Sequence, residues 1–459
     1  MRLSGTANFL SSPVIVRRRA QGHLARAVRH PSSTALRFTA AQASLVAASV
    51  VLECGRDCLL LARFAPGGLP MMYLAITGLV LLTALLQSRV GAFAAGHLPL
   101  LLAGAGAVTL GLWRMPCGGV GVIAALSSFS ALFSALLFVQ LSLRADACGW
   151  SNRPKTFSLL AAGGPIGALL GTVAARLVLL VGSPHGLLPL SAGLSFTAAI
   201  LVAGLPGRAA GPSPAEARVL APELRAVGKA LARDRAVRPL LALVMLTAMA
   251  GALADFLFKQ RLVSELPFER IPPLLVSARM GQAVLALTLQ IAATRWLLRT
   301  SGVVRGLVLL PAGLFLVSQG MSVGAELAIC LLARVLEGGL RRSLEVGSAG
   351  AILERDRGAR RVLRKALEPA TQRLGQTAAM GVIVTTGAAG AAPIWLIGAL
   401  ALASVGWLEW RRAHSGDFPS RGSRVRAPLV MAAAQVPPRR SATAFPDFQV
   451  GEQRRCVGS

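Results

Sequence analysis

Asp57-Cys-Leu-Leu-Leu-Ala-Arg63 and Asp255-Phe-Leu-Phe-Lys-Gln-Arg261 share Asp, Leu and Arg at identical offsets in the two halves of the chain. Each stretch closes a long apolar run, where a carboxylate facing lipid would cost several kcal/mol. Charges placed alike in two halves predict an internally duplicated membrane protein with a polar pathway between the halves. The surrounding sequence agrees. Of 459 residues, 54% are hydrophobic and only 15% charged, where a soluble chain carries about 25% charged residues. Mean hydropathy is +0.62, and the charges are swept out of apolar blocks as expected when lipid is the solvent.

The net charge of +29 would indicate nucleic-acid binding in a soluble protein. Here the basic residues fall in short segments between apolar blocks, so no nucleic-acid partner is expected. Arginine outnumbers lysine 44 to 4 beside abundant Ala and Gly, a bias that a GC-rich genome explains and that points to a bacterium. The six cysteines form no CxxC pair and no Cys/His cluster with metal-ligand spacing. No metal and no cofactor is therefore expected. Arg17-Arg18-Arg19 resembles a twin-arginine signal, but no h-region or cleavage site follows it. The N-terminus reads as an uncleaved basic tail.

Twelve apolar segments are each long enough to cross a hydrocarbon core of about 30 Å. They run over 39–62, 69–88, 92–113, 118–143, 157–181, 187–205, 239–259, 274–294, 302–318, 320–339, 374–390 and 392–409. The last two are joined by a tight Gly/Ala turn ending at Pro393, which predicts a helical hairpin. With both termini cytoplasmic, the tails and inner loops hold most of the 48 Lys and Arg, which sets the orientation.

Residues 206–238 open with Gly211-Pro212-Ser-Pro214 and continue as a basic amphipathic helix, Ala215–Arg235. This linker divides an N-terminal bundle, 39–205, from a C-terminal bundle, 239–410. A second basic segment, 340–373, joins spans ten and eleven. The ends, 1–38 and 411–459, are rich in Arg, Pro, Ser and Ala and predict disordered tails. The expected fold is thus an all-α polytopic membrane protein with about 12 transmembrane helices in two pseudo-symmetric six-helix bundles, the layout of the major facilitator superfamily.

Several intramembrane side chains carry candidate chemistry. Glu53, Arg56 and Asp57 on span 1 lie at i, i+3 and i+4, on one helix face. Asp255 and Lys259 form an i, i+4 pair on span 7. These groups read either as substrate ligands and an outer gate or as self-neutralising pairs within each helix. Arg279 on span 8, with Gln282 and Gln290, reads as an anion ligand or as a side chain snorkelling to the interface. Glu337 and Arg341 at the end of span 10, near Glu326 and Arg334, read as an inner gate or latch. Ser127, Ser130 and Ser134 share a face of span 4 and predict interhelical hydrogen bonds. Gly163, Gly167 and Gly171 on span 5 form a double small-xxx-small ridge for close helix packing. No GxSxG, HExxH or paired-His motif is present, so no enzyme is expected.

Some of these residues resemble a family. Asp255-Phe-Leu-Phe258-Lys259-Gln-Arg-Leu262, with Pro267 after it, is similar to a signature of the ATP/ADP antiporters of intracellular bacteria and plastids. Arg56-Asp57, Lys155-Thr-Phe157, Arg342-Ser343-Leu344 and Arg373-Leu374-Gly375 resemble further signatures of that family, in the same order along the chain. The resemblance implies nucleotide recognition by Arg56, Asp57, Asp255 and Lys259. Two departures remove positive charge: Glu53 stands where the antiporters tend to have a base, and Gln376 where they favour Lys.

The combined expectation is a monomeric secondary transporter of a small-molecule anion, with nucleotides in scope, in the bacterial cytoplasmic membrane. Arg56, Lys259 and Arg279 would bind the anion, and Glu53, Asp57 and Asp255 would pair with them or couple transport to protons. The alternative is a non-transporting sensor or scaffold on the same fold, which a sealed apolar interior would favour.

Overall fold

Apolar composition and the need to satisfy every backbone polar group without water both select helix, and every regular element among the described residues is helical. In the computed structural model these residues are 31–63, 97–115, 119–147, 154–205, 237–290, 327–353 and 359–386, with short pieces at 70–71, 74–75, 78, 312–317, 319, 396, 399–400, 402–403 and 406–407. The N-terminal tail up to residue 30, nearly all of the 206–238 linker, most of spans two, nine and twelve, and the C-terminal tail lie outside them.

The helices are α1 (Pro31–Arg63), α2 (Leu98–Arg114), α3 (Val120–Ala147), α4 (Pro154–Val181), α5 (Leu187–Ala203), α6 (Val237–Glu265), α7 (Ile271–Thr288), α8 (Leu327–Leu353) and α9 (Ala359–Thr386). Prolines mark several starts. α2 and α7 carry Pro in their first turn, where the missing N–H has no helical partner to lose. Pro267 adopts an extended conformation between α6 and the short 3-10 turn Phe268–Arg270.

Among the described residues, three segments are long and apolar enough to cross a membrane: Ala162–Val181, Pro184–Ala203 and Phe268–Thr288. α1 and α6 are longer, at 33 and 29 residues, but their interiors carry the charged groups expected from the sequence. The basic segment 340–373 is not simply a loop, because α8 continues to Leu353 and α9 begins at Ala359. Both helices run past the expected membrane boundary, α8 through Gly338-Gly339 and α9 through Pro369.

α1 packs against α3, α4 and α5, and α2 against α3 and α5. α6 packs against α8 and α9. α7 belongs to both groups of contacts, lying against α8 and also against α4 and α1. Large apolar side chains point outward: Leu170, Val173, Leu177 and Leu180 on α4, Ile200 on α5 and Leu100 on α2 are exposed. Spacings of three and four residues put the α4 set on one stripe. An outward apolar stripe over a charged interior is the pattern that a bilayer selects.

The glycines of α4 meet α1 at matching intervals. A Cβ on Gly163 would lie 3.1 Å from the Thr39 carbonyl oxygen, and one on Gly171 would lie 2.8 Å from Ala47 Cα. A Cβ on Gly167 would collide with the Ala43 backbone. Both helices thus present small residues every fourth position, which brings the two backbones together. Ser191 on α5 adds a hydrogen bond, donating to the Ala48 carbonyl at 2.8 Å.

Candidate functional site

Helical spacing brings Glu53, Cys54, Arg56 and Asp57 to the last third of α1, and Asp255 and Lys259 to the same part of α6. Lys259 is almost fully buried and joins the two helices. Its Nζ lies 3.2 Å from Asp57 Oδ2 and 3.0 Å from Asp255 Oδ2. The two aspartates of the repeated motif therefore share one lysine. Their arginine counterparts behave differently: Arg63 and Arg261 are exposed, and Arg261 lies 3.8 Å from Glu265 on the same helix.

From Asp57 and Asp255 the ion pairs extend in both directions. Arg56 donates from Nε and Nη2 to Asp57 Oδ1 at 2.9 and 2.6 Å. Arg279 on α7 reaches Glu53 Oε2 at 3.3 Å and Asp57 Oδ2 at 3.6 Å. It is partnered across the helix interface and does not snorkel. On the other side Arg334 Nε lies 2.9 Å from Asp255 Oδ1, and its Nη1 donates to Glu337 Oε2 at 2.7 Å. Arg341 lies 2.8 Å from Glu337 Oε1. Among the described residues, nine charged side chains on α1, α6, α7 and α8 are thus joined in one network.

The sequence separates an outer set from an inner latch, whereas the structure links them through Arg334. On α8 alone that arginine reads as the i, i+3 partner of Glu337, and only the crossing of α6 over α8 brings Asp255 to it. The crossing depends on Gly251, where an added Cβ would collide with the Glu337 carboxylate. Gln282 on α7 is buried and donates from Nε2 to the Arg334 carbonyl at 2.9 Å. Neither contact is legible from spacing along one helix.

Of the α3 serines, Ser130 makes an interhelical hydrogen bond as expected and Ser127 does not. Arg56 Nη1 points to Ser130 Oγ at 3.5 Å, and the fully buried Ser127 Oγ has no hydrogen-bond partner. The side chains of Ser134, Lys155, Arg342 and Arg373 lie outside the described residues, as does Glu326. Arg176 is half-buried on α4, and Gln290 lies just past the end of α7.

Toward the Arg63 and Glu265 ends, apolar residues cover the network. Leu60 and Leu61 of α1, Leu257 and Leu262 of α6, and Ile271 and Leu275 of α7 are buried in one cluster. Water is kept from the Asp57–Lys259 level on that side, which strengthens each ion pair beneath it. Among the described residues, α1, α6, α7 and α8 meet along a seam of paired charges. Among the described residues no group of His, Cys, Asp and Glu could hold a metal ion.

No protein-family profile matches the chain, and no curated protein matches it in sequence. Solved structures do. The nucleoside transporter NupG is similar with a TM-score of 0.56 and 14% identity, over 83% of this chain and 98% of that one. A variant of NupG gives the same TM-score and coverage at 12% identity. At such identity the likeness speaks to architecture, and together with the helical core and outward apolar stripes it defines an all-α polytopic membrane protein with the major facilitator fold.

Proposed function

We propose that this chain is a secondary transporter that moves a small organic anion by alternating access between two six-span halves, 39–205 and 239–410. The network linking α1, α6, α7 and α8 carries this reading. Burying ion pairs is more costly than packing apolar residues of similar volume, so nine intramembrane charges are a poor way to build a static scaffold. Charges of this kind mark substrate and coupling pathways. Arg56, Lys259 and Arg279 serve as anion ligands, and Glu53, Asp57 and Asp255 are the partners they exchange for cargo. Glu337 and Arg341 act as the inner gate.

With both termini cytoplasmic in a bacterial inner membrane, the apolar cover at Leu60, Leu257 and Leu275 closes the outer side. The similarity to a nucleoside transporter and the resemblance to nucleotide antiporters both favour cargo with a nucleoside-sized or smaller body. The test is uptake of labelled nucleosides, nucleotides and organic acids into proteoliposomes holding the full chain. Saturable uptake of an anion, abolished by Lys259→Ala, is expected. Proteoliposomes that move none of these compounds, or uptake indifferent to Lys259→Ala, would refute transport and return the fold to a sensing or scaffolding role.

A further inference from the structure

Buried hydroxyls in these helices commonly bond to a backbone carbonyl. Thr109 donates to Ala105 at 2.8 Å, Thr172 to Ala168 at 3.0 Å and Ser195 to Ser191 at 2.9 Å, and Ser191 reaches across to Ala48. Ser127 departs from this pattern. It is fully buried on α3, and among the described residues its Oγ has no hydrogen-bond partner. Such a hydroxyl has lost its water without a replacement, an arrangement that an alanine would avoid. We infer that Ser127 is a cargo contact, and that the cargo is a small organic acid with a hydroxyl or keto oxygen beside its anionic group. The inference rests on the transport reading of Arg56 and names the substrate class of that site.

Position on α3 ties this hydroxyl to the charged seam. Ile123, Ser127 and Ser130 follow one another at four and three residues, on one stripe of the helix. At one end, Ser130 Oγ accepts from Arg56 Nη1 at 3.5 Å. At the other, Ile123 belongs to the apolar cluster that contains Cys58, Leu60, Leu61 and Leu257. Ser127 therefore sits where the charged seam gives way to its apolar cover, one turn from the Arg56 contact. Arg56 keeps 15% of its side chain accessible against 4% for Asp57, so of this pair the arginine is the member that an anion meets.

The two groups suit different parts of one molecule. A guanidinium fork fits the oxygens of a carboxylate or phosphate ester. The Ser127 hydroxyl both donates and accepts, so it pairs with a hydroxyl in either direction and donates to a keto oxygen. Three residues of helix rise by only about 4.5 Å, which places the second oxygen beside the anionic group and not at the far end of a long cargo. An acid lacking that oxygen leaves Ser127 unpartnered in the complex as well. Sites that hydrogen-bond a substrate oxygen discriminate against analogues without it for this reason.

Matched acids test this. Propionate, lactate and pyruvate share one skeleton and one carboxylate and differ only at the carbon beside it; succinate and malate form a second set. Each is applied to the purified full-length protein in proteoliposome uptake and in thermal unfolding at matched ionic strength. In at least one set the oxygenated acid should be preferred by about tenfold in KM, roughly what one hydrogen bond contributes. Lactate above pyruvate assigns a hydroxyl, and the reverse a keto oxygen. Ser127→Ala should abolish the preference by weakening the oxygenated acid alone, and should preserve or raise the melting temperature of the empty protein. A merely structural serine would lower that temperature and weaken both acids alike. Ser127→Cys keeps the side-chain volume with weaker hydrogen bonding, guards against a folding defect peculiar to alanine, and should behave the same way. The inference is overturned if neither set is discriminated, if the preference survives both variants, or if both variants destabilise the empty protein. Uptake without discrimination would overturn it while leaving transport intact. A Ser127-dependent thermal shift without any uptake would keep the binding site and remove the transport reading.

Discussion

Lys259 bridges the two repeated aspartates and Asp57 meets three cations, so replacing them separately and together measures how the seam is held. At the 3.2 Å between Lys259 and Asp57, a unit charge pair at an effective dielectric of about 20 interacts by about 5 kcal/mol before desolvation is counted. Breaking a buried pair costs about 3–5 kcal/mol. Lys259→Met leaves Asp57 with Arg56 and Arg279 and Asp255 with Arg334, so both carboxylates keep a cation. Its cost should fall near the bottom of that range, about 3 kcal/mol. Asp57→Asn strips a shared acid from three cations, so its cost should approach about 5 kcal/mol. The double variant should recover about 1–3 kcal/mol relative to the sum, as directly coupled residues do. Reversible unfolding in mixed micelles reads all four proteins. The reasoning is refuted if Lys259→Met costs as much as Asp57→Asn, or if the two costs simply add.

Further expectations concern packing, connectivity and access. Gly167→Ala should destabilise by about 1–3 kcal/mol because its Cβ meets the Ala43 backbone. Gly164→Ala, with nothing within 4 Å, should be neutral or stabilising by up to about 1 kcal/mol; equal effects in an unfolding assay would contradict the ridge. Arg334→Gln should cut the link between Asp255 and Glu337 and reduce proteoliposome uptake more than it reduces stability, whereas wild-type uptake would show that the link is idle. Cys54 and Cys58 are buried beside Asp57, so maleimide labelling should be slow in the wild type. It should accelerate in Asp57→Asn as the seam loosens, and an unchanged rate would show that the seam stays shut.

The membrane class and the buried charges were legible because the bilayer leaves a one-dimensional record, apolar runs of fixed length interrupted only where charge has a use. The shared motif located Asp57 and Asp255, and helical spacing placed Glu53 and Arg56 on the same face. The partners across helices were not legible. Arg279 to Glu53, Arg334 to Asp255 and Gln282 to the Arg334 carbonyl all depend on which helices cross and at what depth. The α4 glycines announced a close approach, but nothing in their spacing named Thr39, Ala43 and Ala47 as the surface approached. The extension of α8 and α9 through the basic segment was obscured because charge marks the edge of the membrane without marking the end of a helix.

The distribution of charge across the seam has a mechanical consequence. Among the described residues, three ion pairs join α1 to α6 and α7: Lys259 to Asp57, and Arg279 to Glu53 and to Asp57. When these part, Glu53, Arg56 and Asp57 leave with a net charge of minus one, and the six side chains on α6, α7 and α8 keep a net charge of plus two. The two surfaces then behave as oppositely charged plates whose attraction acts as a restoring spring. On the proposed transport reading an empty carrier would be pulled shut, and an arriving anion would slacken the spring from the positive plate.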